Sequence, residues 1–142
     1  MLINVLVCTY SIQLKADELK AEHYWNPDSA LPFSSAVRVG NMLYLSGELG
    51  REPGTMKLVE GGIQAETRQT LENIKATLEA HGSSLGEVVK CTVFLADIAE
   101  WGAMNEVYIT YFPVNPPARS ALGTSGLALG ARTEIECLAT VR

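Results

Sequence analysis

Apolar residues recur twice along the chain at the spacing of an amphipathic helix. The first helix is predicted over 64–81, where charged residues surround one aliphatic face and Gly82 provides the stop. The second begins at Asp97, whose spacing to Glu100 resembles a capping box, and ends before Pro113. The residues assigned to the two buried faces are Leu71, Ile74, Leu78, Trp101, Met104, Tyr108 and Tyr111.

Shorter apolar runs bounded by turn residues predict the strands. The dipeptide Gly40-Asn41 separates two such runs and has the composition of a two-residue type II′ turn, so a hairpin is predicted there. Weaker patterns predict a short strand over 2–7 and a helix over 11–24. The other predicted strands cover 36–39, 42–46, 88–95, 119–125 and 132–141, with Val89, Cys91, Val93 and Leu95 on one face.

From the hairpin onward the order of elements is β-β-α-β-α-β-β, which predicts an α+β fold. Two helices then cover one face of a mixed sheet in a two-layer sandwich. Apolar residues occupy both faces of the sheet, and the uncovered face predicts association into a closed homotrimer or dimer. These residues are Val37, Val39, Leu43, Leu45, Val89, Val93, Ile135, Cys137 and Ala139.

Composition narrows the class of protein. The 142 residues fit one domain, and a net charge of −5 with scattered basic residues argues against nucleic-acid or anionic-membrane partners. No apolar run reaches the roughly 18 residues of a membrane span and no signal peptide is recognisable, so a soluble cytoplasmic protein is predicted. The cysteines and histidines lack the spacings of metal sites or disulfides, so reduced thiols, no metal and no cofactor are predicted; the cysteines are Cys8, Cys91 and Cys137.

Standard catalytic motifs are absent from the sequence, which leaves four polar features as candidate chemistry. Each also has a structural explanation. Arg119 can pair with a carboxylate, and Glu134 and Glu136 can be solvated on an edge strand. Ser46 can be an ordinary hydroxyl at the end of its strand, and Asn105 can bridge backbone groups. Composition and spacing alone indicate an oligomeric ligand-binding domain. The features are Arg119, Glu134 with Glu136, Ser46 with Gly47, and Asn105.

Longer motifs are similar to those of the Rid/YjgF family, also known as the liver perchloric-acid-soluble protein family. The resemblance runs from about residue 32 to residue 139. Residues 1–25 are therefore predicted to be an N-terminal extension, and 26–142 a single domain. The motifs are AVRVGN at 36–41, YLSG at 44–47, QTLENI at 69–74, VY and YF between 107 and 112, and PARS at 117–120.

This resemblance implies a chorismate-mutase-like fold, a homotrimer with ligand clefts between subunits, and hydrolysis of 2-imino or enamino acids to 2-oxoacids and ammonia. By motif position, Arg119 binds the substrate carboxylate and Glu134 positions or activates water. The implied lining of the cleft is Phe33, Ser46, Gly47, Asn105 and Ala121. Since imines already hydrolyse in water, orientation and one proton-transfer group suffice without metal or cofactor.

Three departures from the family pattern leave the carboxylate-binding arginine intact and affect the expected choice of substrate. Phe33 stands where tyrosine is usual, Ala121 where cysteine is frequent, and Glu48 where glutamine is usual. The phenylalanine favours a more apolar or aromatic ligand. The alternative function is a non-catalytic or regulatory trimer that binds small carboxylates, whereas the net charge of −5 and the lack of a basic cluster or histidine pair argue against an endoribonuclease.

Overall fold

A mixed β-sheet carries two helices in the computed structural model, which describes residues 20–25 and 31–142. The elements are β1 Ala21–Tyr24, β2 Ala36–Val39, β3 Met42–Leu45, β4 Glu48–Leu49, α1 Gly62–Ala80, β5 Val88–Leu95, α2 Trp101–Tyr111, β6 Ala118–Gly123 and β7 Thr133–Thr140. The sheet order is β1-β2-β3-β7-β5-β6, and the two-residue β4 also pairs with β7. Strands β5 and β6 are parallel, while the other pairs are antiparallel.

The predicted α+β architecture is confirmed, and so is the hairpin. Val39 pairs with Met42 across a two-residue turn in which Gly40 has a φ of 60°, as a type II′ turn requires. The helix predicted over 11–24 is wrong at its end, because Ala21–Tyr24 forms an edge strand beside β2. Residues 2–7 and 11–19 lie outside the described part of the chain.

Asp97 caps a short 3-10 turn, Ile98–Glu100, and α2 begins after it at Trp101 without the predicted capping box and with fewer buried aromatic residues than predicted. The Asp97 carboxylate accepts a hydrogen bond from the Ala99 N–H at 2.9 Å, whereas Glu100 pairs with Arg132 instead of closing a capping box. Trp101 was predicted to be buried and is 43% exposed, with its ring centre 5.6 Å from the guanidinium carbon of Arg119 on the edge strand β6.

Both helices contribute to one core on the same face of the sheet. In β7 the odd-numbered residues from Thr133 to Ala139 are buried, and the even-numbered ones point to the other face. In β5, however, Val88 is buried and Val89 is 43% exposed, contrary to the predicted face. A β-bulge between Val88 and Lys90 inserts one extra residue and shifts the alternation.

The prediction of reduced thiols is wrong for two of the cysteines. Cys91 and Cys137 lie opposite each other on β5 and β7 and are joined by a disulfide. Their separation of 46 residues along the chain gives no sign of pairing, which arises only from the register of the two strands. Cys8 lies outside the described residues.

Candidate active site

Arg119 lies on the edge strand β6, on the face covered by the helices. It is opposite Cys91 in the parallel pairing with β5, and this places its side chain under α2. Its Nη1 donates a hydrogen bond to Asn105 Oδ1 at 2.8 Å. The guanidinium carbon lies 4.5 Å from the ring centre of Tyr108 and 5.6 Å from that of Trp101. These four residues, Arg119, Asn105, Tyr108 and Trp101, are called the arginine cluster below.

The charge of Arg119 has no carboxylate partner within ion-pair distance among the described residues. A structural ion pair therefore does not account for this arginine. Burial raises the pKa of Tyr108, and the positive charge of Arg119 only partly offsets this rise. The phenol therefore stays neutral beside the cation. A half-buried guanidinium fixed by one amide oxygen and aromatic faces can still offer paired N–H groups to a carboxylate.

Glu134 lies on β7, an interior strand, where its side chain is half-buried against Gly47. A β-carbon added to Gly47 would overlap Oε1 of Glu134, so the absence of a side chain at this position makes room for the carboxylate. Burial raises the pKa of Glu134, and the neighbouring Glu136 carboxylate raises it further. Glu134 is consequently not a solvated edge-strand residue.

A cavity of about 330 Å³ opens beside Glu134 and is called the glutamate cavity. Phe33, Ser46 and Gly47 line it, as do several apolar residues. The Ser46 hydroxyl donates to the Ser34 carbonyl at 2.7 Å, so it joins the 33–35 segment to the end of β3. This bond matches the structural explanation for Ser46, which keeps only acceptor capacity toward a ligand.

The two groups lie on opposite faces of one protomer. Arg119 is opposite Cys91 in β5, whereas Glu134 is opposite Phe94. Because Cys91 and Phe94 are an odd number of residues apart in the same strand, their faces differ. The structure therefore brings Phe33, Ser46, Gly47 and Glu134 together, and it brings Arg119 and Asn105 together elsewhere.

Ala121 lies two residues after Arg119, opposite Val93, and packs against the core instead of lining the glutamate cavity. The aromatic partners of Arg119 were missed as site residues because both were assigned to the buried helix face. Their spacing could have revealed them, since Trp101, Asn105 and Tyr108 recur at i, i+4 and i+7 on one side of α2.

In the described ranges, no three His, Cys, Asp or Glu side chains are grouped to hold a metal ion. None of the helices there is long and apolar enough to cross a membrane. The groups available for chemistry are thus a positioned guanidinium and a carboxyl group with a raised pKa.

Comparison with known proteins gives consistent matches over most of the chain. A family model described as Endoribonuclease L-PSP matches residues 25–141. A RutC family protein of Pyrococcus horikoshii is 46% identical over 108 residues, covering 76% of this chain and 86% of that protein. The mouse protein named 2-iminobutanoate/2-iminopropanoate deaminase is 42% identical over 113 residues, covering 80% and 84%.

Solved structures match the fold as well. The crystal structure of RidA from an Antarctic Psychrobacter species has a TM-score of 0.75 and 42% sequence identity, with 81% of this chain and 93% of that chain covered. The segment matched by the family model contains the arginine cluster together with Glu134, Gly47, Ser46 and Phe33 of the glutamate cavity. The chain belongs to the Ribonuc_L-PSP family, which is the Rid/YjgF family.

Proposed function

We propose that this protein hydrolyses 2-imino and enamino acids to 2-oxoacids and ammonia, at sites formed between the copies of a homotrimer. The observation that carries the proposal is the guanidinium of Arg119, which has no carboxylate partner among the described residues and is positioned by Asn105 and Tyr108. Relatives named for 2-iminobutanoate and 2-iminopropanoate deamination support the reaction class.

In this proposal Arg119 binds the substrate carboxylate through two parallel N–H groups. A bidentate contact fixes the plane of the carboxylate and, with it, the adjacent imine carbon. Asn105 acts as a positioning residue, because its side-chain oxygen accepts a hydrogen bond from the guanidinium and so restrains it. Orienting the electrophile supplies much of the rate enhancement for a reaction that already occurs in water.

Glu134 transfers the protons. Its carboxylate takes a proton from water as the water oxygen bonds to the imine carbon and the π electrons of the C=N bond move to nitrogen. The proton then passes to nitrogen, which gives a carbinolamine. Glu134 next takes the remaining hydroxyl proton as the carbonyl forms and delivers it to nitrogen as the C–N bond breaks, which releases ammonia. The raised pKa of Glu134 brings its protonated and ionised forms closer in energy, which suits a group that must both accept and return a proton.

A second copy of the chain is required by this mechanism because the arginine cluster and the glutamate cavity occupy opposite faces of the sheet. One copy supplies Arg119 and Asn105, and its neighbour supplies Glu134, Gly47 and Phe33. The sheet face without helices carries exposed Tyr44 and Leu122, which supports burial of this face in an assembly.

The test is a trapping assay in which an amino-acid oxidase generates the imine and semicarbazide competes for it. The wild-type protein should suppress trapping, and Arg119→Ala and Glu134→Gln should each lose about 100-fold or more of this activity. Arg142→Ala is the matched control, since Arg142 lies at the surface with Glu87.

Mixing the two inactive variants tests the shared site directly. Random reassembly gives sites with both functional residues intact at a frequency of about a quarter. Activity should return to roughly that fraction of wild type after joint unfolding and refolding. If no activity returns after mixing, a shared site is contradicted. If the wild-type protein binds a carboxylate but hydrolyses no imine, the non-catalytic trimer is favoured. RNA cleavage that disappears in Arg119→Ala would contradict the proposed reaction class.

A further inference from the structure

The glutamate cavity has an unusually apolar rim. Phe33, Met56 and Leu129 all line it and, within a single copy of the chain, are 48%, 51% and 49% exposed. Large apolar side chains that remain half-exposed around one cavity are typical of a surface that binds an apolar group. Glu48 and Arg51 also line the cavity, but they pair with each other at 3.4 Å and so compensate their charges.

Leu129 stands out among these residues because its backbone is strained. It has φ 60° and ψ 7°, the left-handed conformation that a β-carbon disfavours because it approaches the following carbonyl oxygen. Glycine adopts this conformation freely, and asparagine tolerates it better than leucine. The side chain of Leu129 is half-exposed and outside the core, so core packing does not explain the strain.

The cavity is also roomy within a single copy of the chain. Its volume there is about 330 Å³, so the walls that this copy contributes leave space for a branched or aromatic side chain beside Glu134.

We infer that Leu129 is a specificity-determining residue, which with Phe33 and Met56 selects 2-imino acids with bulky apolar or aromatic side chains over the imines of alanine and 2-aminobutyrate. This inference rests on the proposed function and names its substrate class. The strained leucine presents an apolar wall that glycine would remove and asparagine would make polar. Its conformation is therefore retained for contact with the substrate.

The first measurement compares kcat/KM of the wild-type protein across imines generated from alanine, 2-aminobutyrate, leucine, phenylalanine and aspartate. The leucine and phenylalanine imines should exceed the alanine imine by about tenfold or more, as expected for apolar groups in a matching pocket. The aspartate imine should be the poorest, because its second carboxylate has no unpaired cation in the described cavity lining.

Two variants then separate selectivity from stability. Leu129→Gly and Leu129→Asn should keep or raise Tm, since both relieve strain, and both should lower kcat/KM for the phenylalanine imine about tenfold through KM. The alanine imine should be unaffected. Asn115→Gly is the matched control, because Asn115 also has positive φ, at 53°, and does not line the cavity.

The outcomes distinguish the two proposals. Hydrolysis of every imine with no preference for bulky ones, or with preference for the aspartate imine, overturns the inference and leaves the proposed function intact. No hydrolysis of any imine overturns both. An equal loss on all substrates in Leu129→Gly, or a lower Tm in both variants, assigns Leu129 a structural role and also overturns the inference.

Discussion

The arginine cluster and the glutamate cavity differ in what they contribute to the stability of the fold. Arg119 donates a hydrogen bond to Asn105 and lies over the face of Tyr108, so local packing stabilises the conformation of its side chain. Glu134 is half-buried with a raised pKa, and its cavity includes the strained Leu129. The contacts of Arg119 within the arginine cluster therefore stabilise the fold locally. The half-buried carboxyl group of Glu134 and the strained backbone of Leu129 instead cost free energy that the rest of the fold must supply.

This difference matches what the proposed reaction demands of each region. A carboxylate anchor works best when it is rigid and permanently charged. A proton-transfer group works best when its protonated and ionised forms are close in energy, which burial achieves by destabilising the charged form. Substitutions in the two regions should therefore affect activity and stability in different ratios.

Gly47→Ala should have the largest effect, about a 100-fold loss of activity, since the new methyl group displaces the Glu134 carboxylate. Overpacking should also lower stability by about 1–3 kcal/mol. The steady-state assay and thermal unfolding measure the two effects. Gly102→Ala is the control, because nothing lies within 4 Å of a β-carbon there and alanine favours the helix. Full activity in Gly47→Ala would show that the carboxylate need not lie against this residue.

Asn105→Ala should have an intermediate effect, raising KM about tenfold with a smaller change in kcat, because the guanidinium loses its restraint but keeps its charge. The pH profile of kcat should stay unchanged, since Asn105 does not contact the glutamate cavity. Gln64→Ala removes a surface bond to Glu106 and serves as the control. A shift of the pH profile in Asn105→Ala would contradict the assigned role.

Glu136→Gln should have the smallest effect on activity, and it tests the influence of a neighbouring charge on the pKa of Glu134. The charge of Glu136 raises the pKa of Glu134, so its removal lowers that pKa. Activity that requires ionised Glu134 should then begin to rise at lower pH, with an unchanged plateau. Glu79→Gln, on the exposed side of α1, is the control. An acid limb that does not move would exclude Glu134 as the titrating group.

The same shift has a consequence for stability. A carboxyl group whose folded pKa exceeds its unfolded value binds more protons in the folded state, so stability rises as pH falls from the folded toward the unfolded pKa. Glu134 contributes in this direction, and Glu136→Gln should make the contribution smaller. Unfolding in denaturant at several pH values measures it.

Much of the fold could be predicted from local patterns. The periodicity of α1, the Gly40-Asn41 turn and the alternation in β7 are properties of neighbouring residues, and the structure confirms them. The exposure of Val89 depends on a bulge, and the Cys91–Cys137 disulfide depends on the register of two strands 46 residues apart. Register is a tertiary property that no single segment encodes.

The candidate site shows the same division. Arg119 and Glu134 could be singled out from their sequence motifs, but their positions on opposite faces follow from the pairing of β6 and β7 with β5. Trp101 was assigned to the core because an aromatic residue at helical spacing is usually buried. Its place over an edge strand, beside a charge, could be recognised only once the sheet order was known.

Because Arg119 and Glu134 lie on opposite faces of the sheet, the proposed activity depends on how much of the protein is assembled. A separated subunit holds both groups yet cannot apply them to one substrate molecule. Dilution below the dissociation constant of the assembly should then abolish turnover while each chain remains folded, and specific activity should depend on protein concentration. Association would in that case switch the enzyme on, and any agent that separates the subunits would act as an inhibitor without entering the cavity.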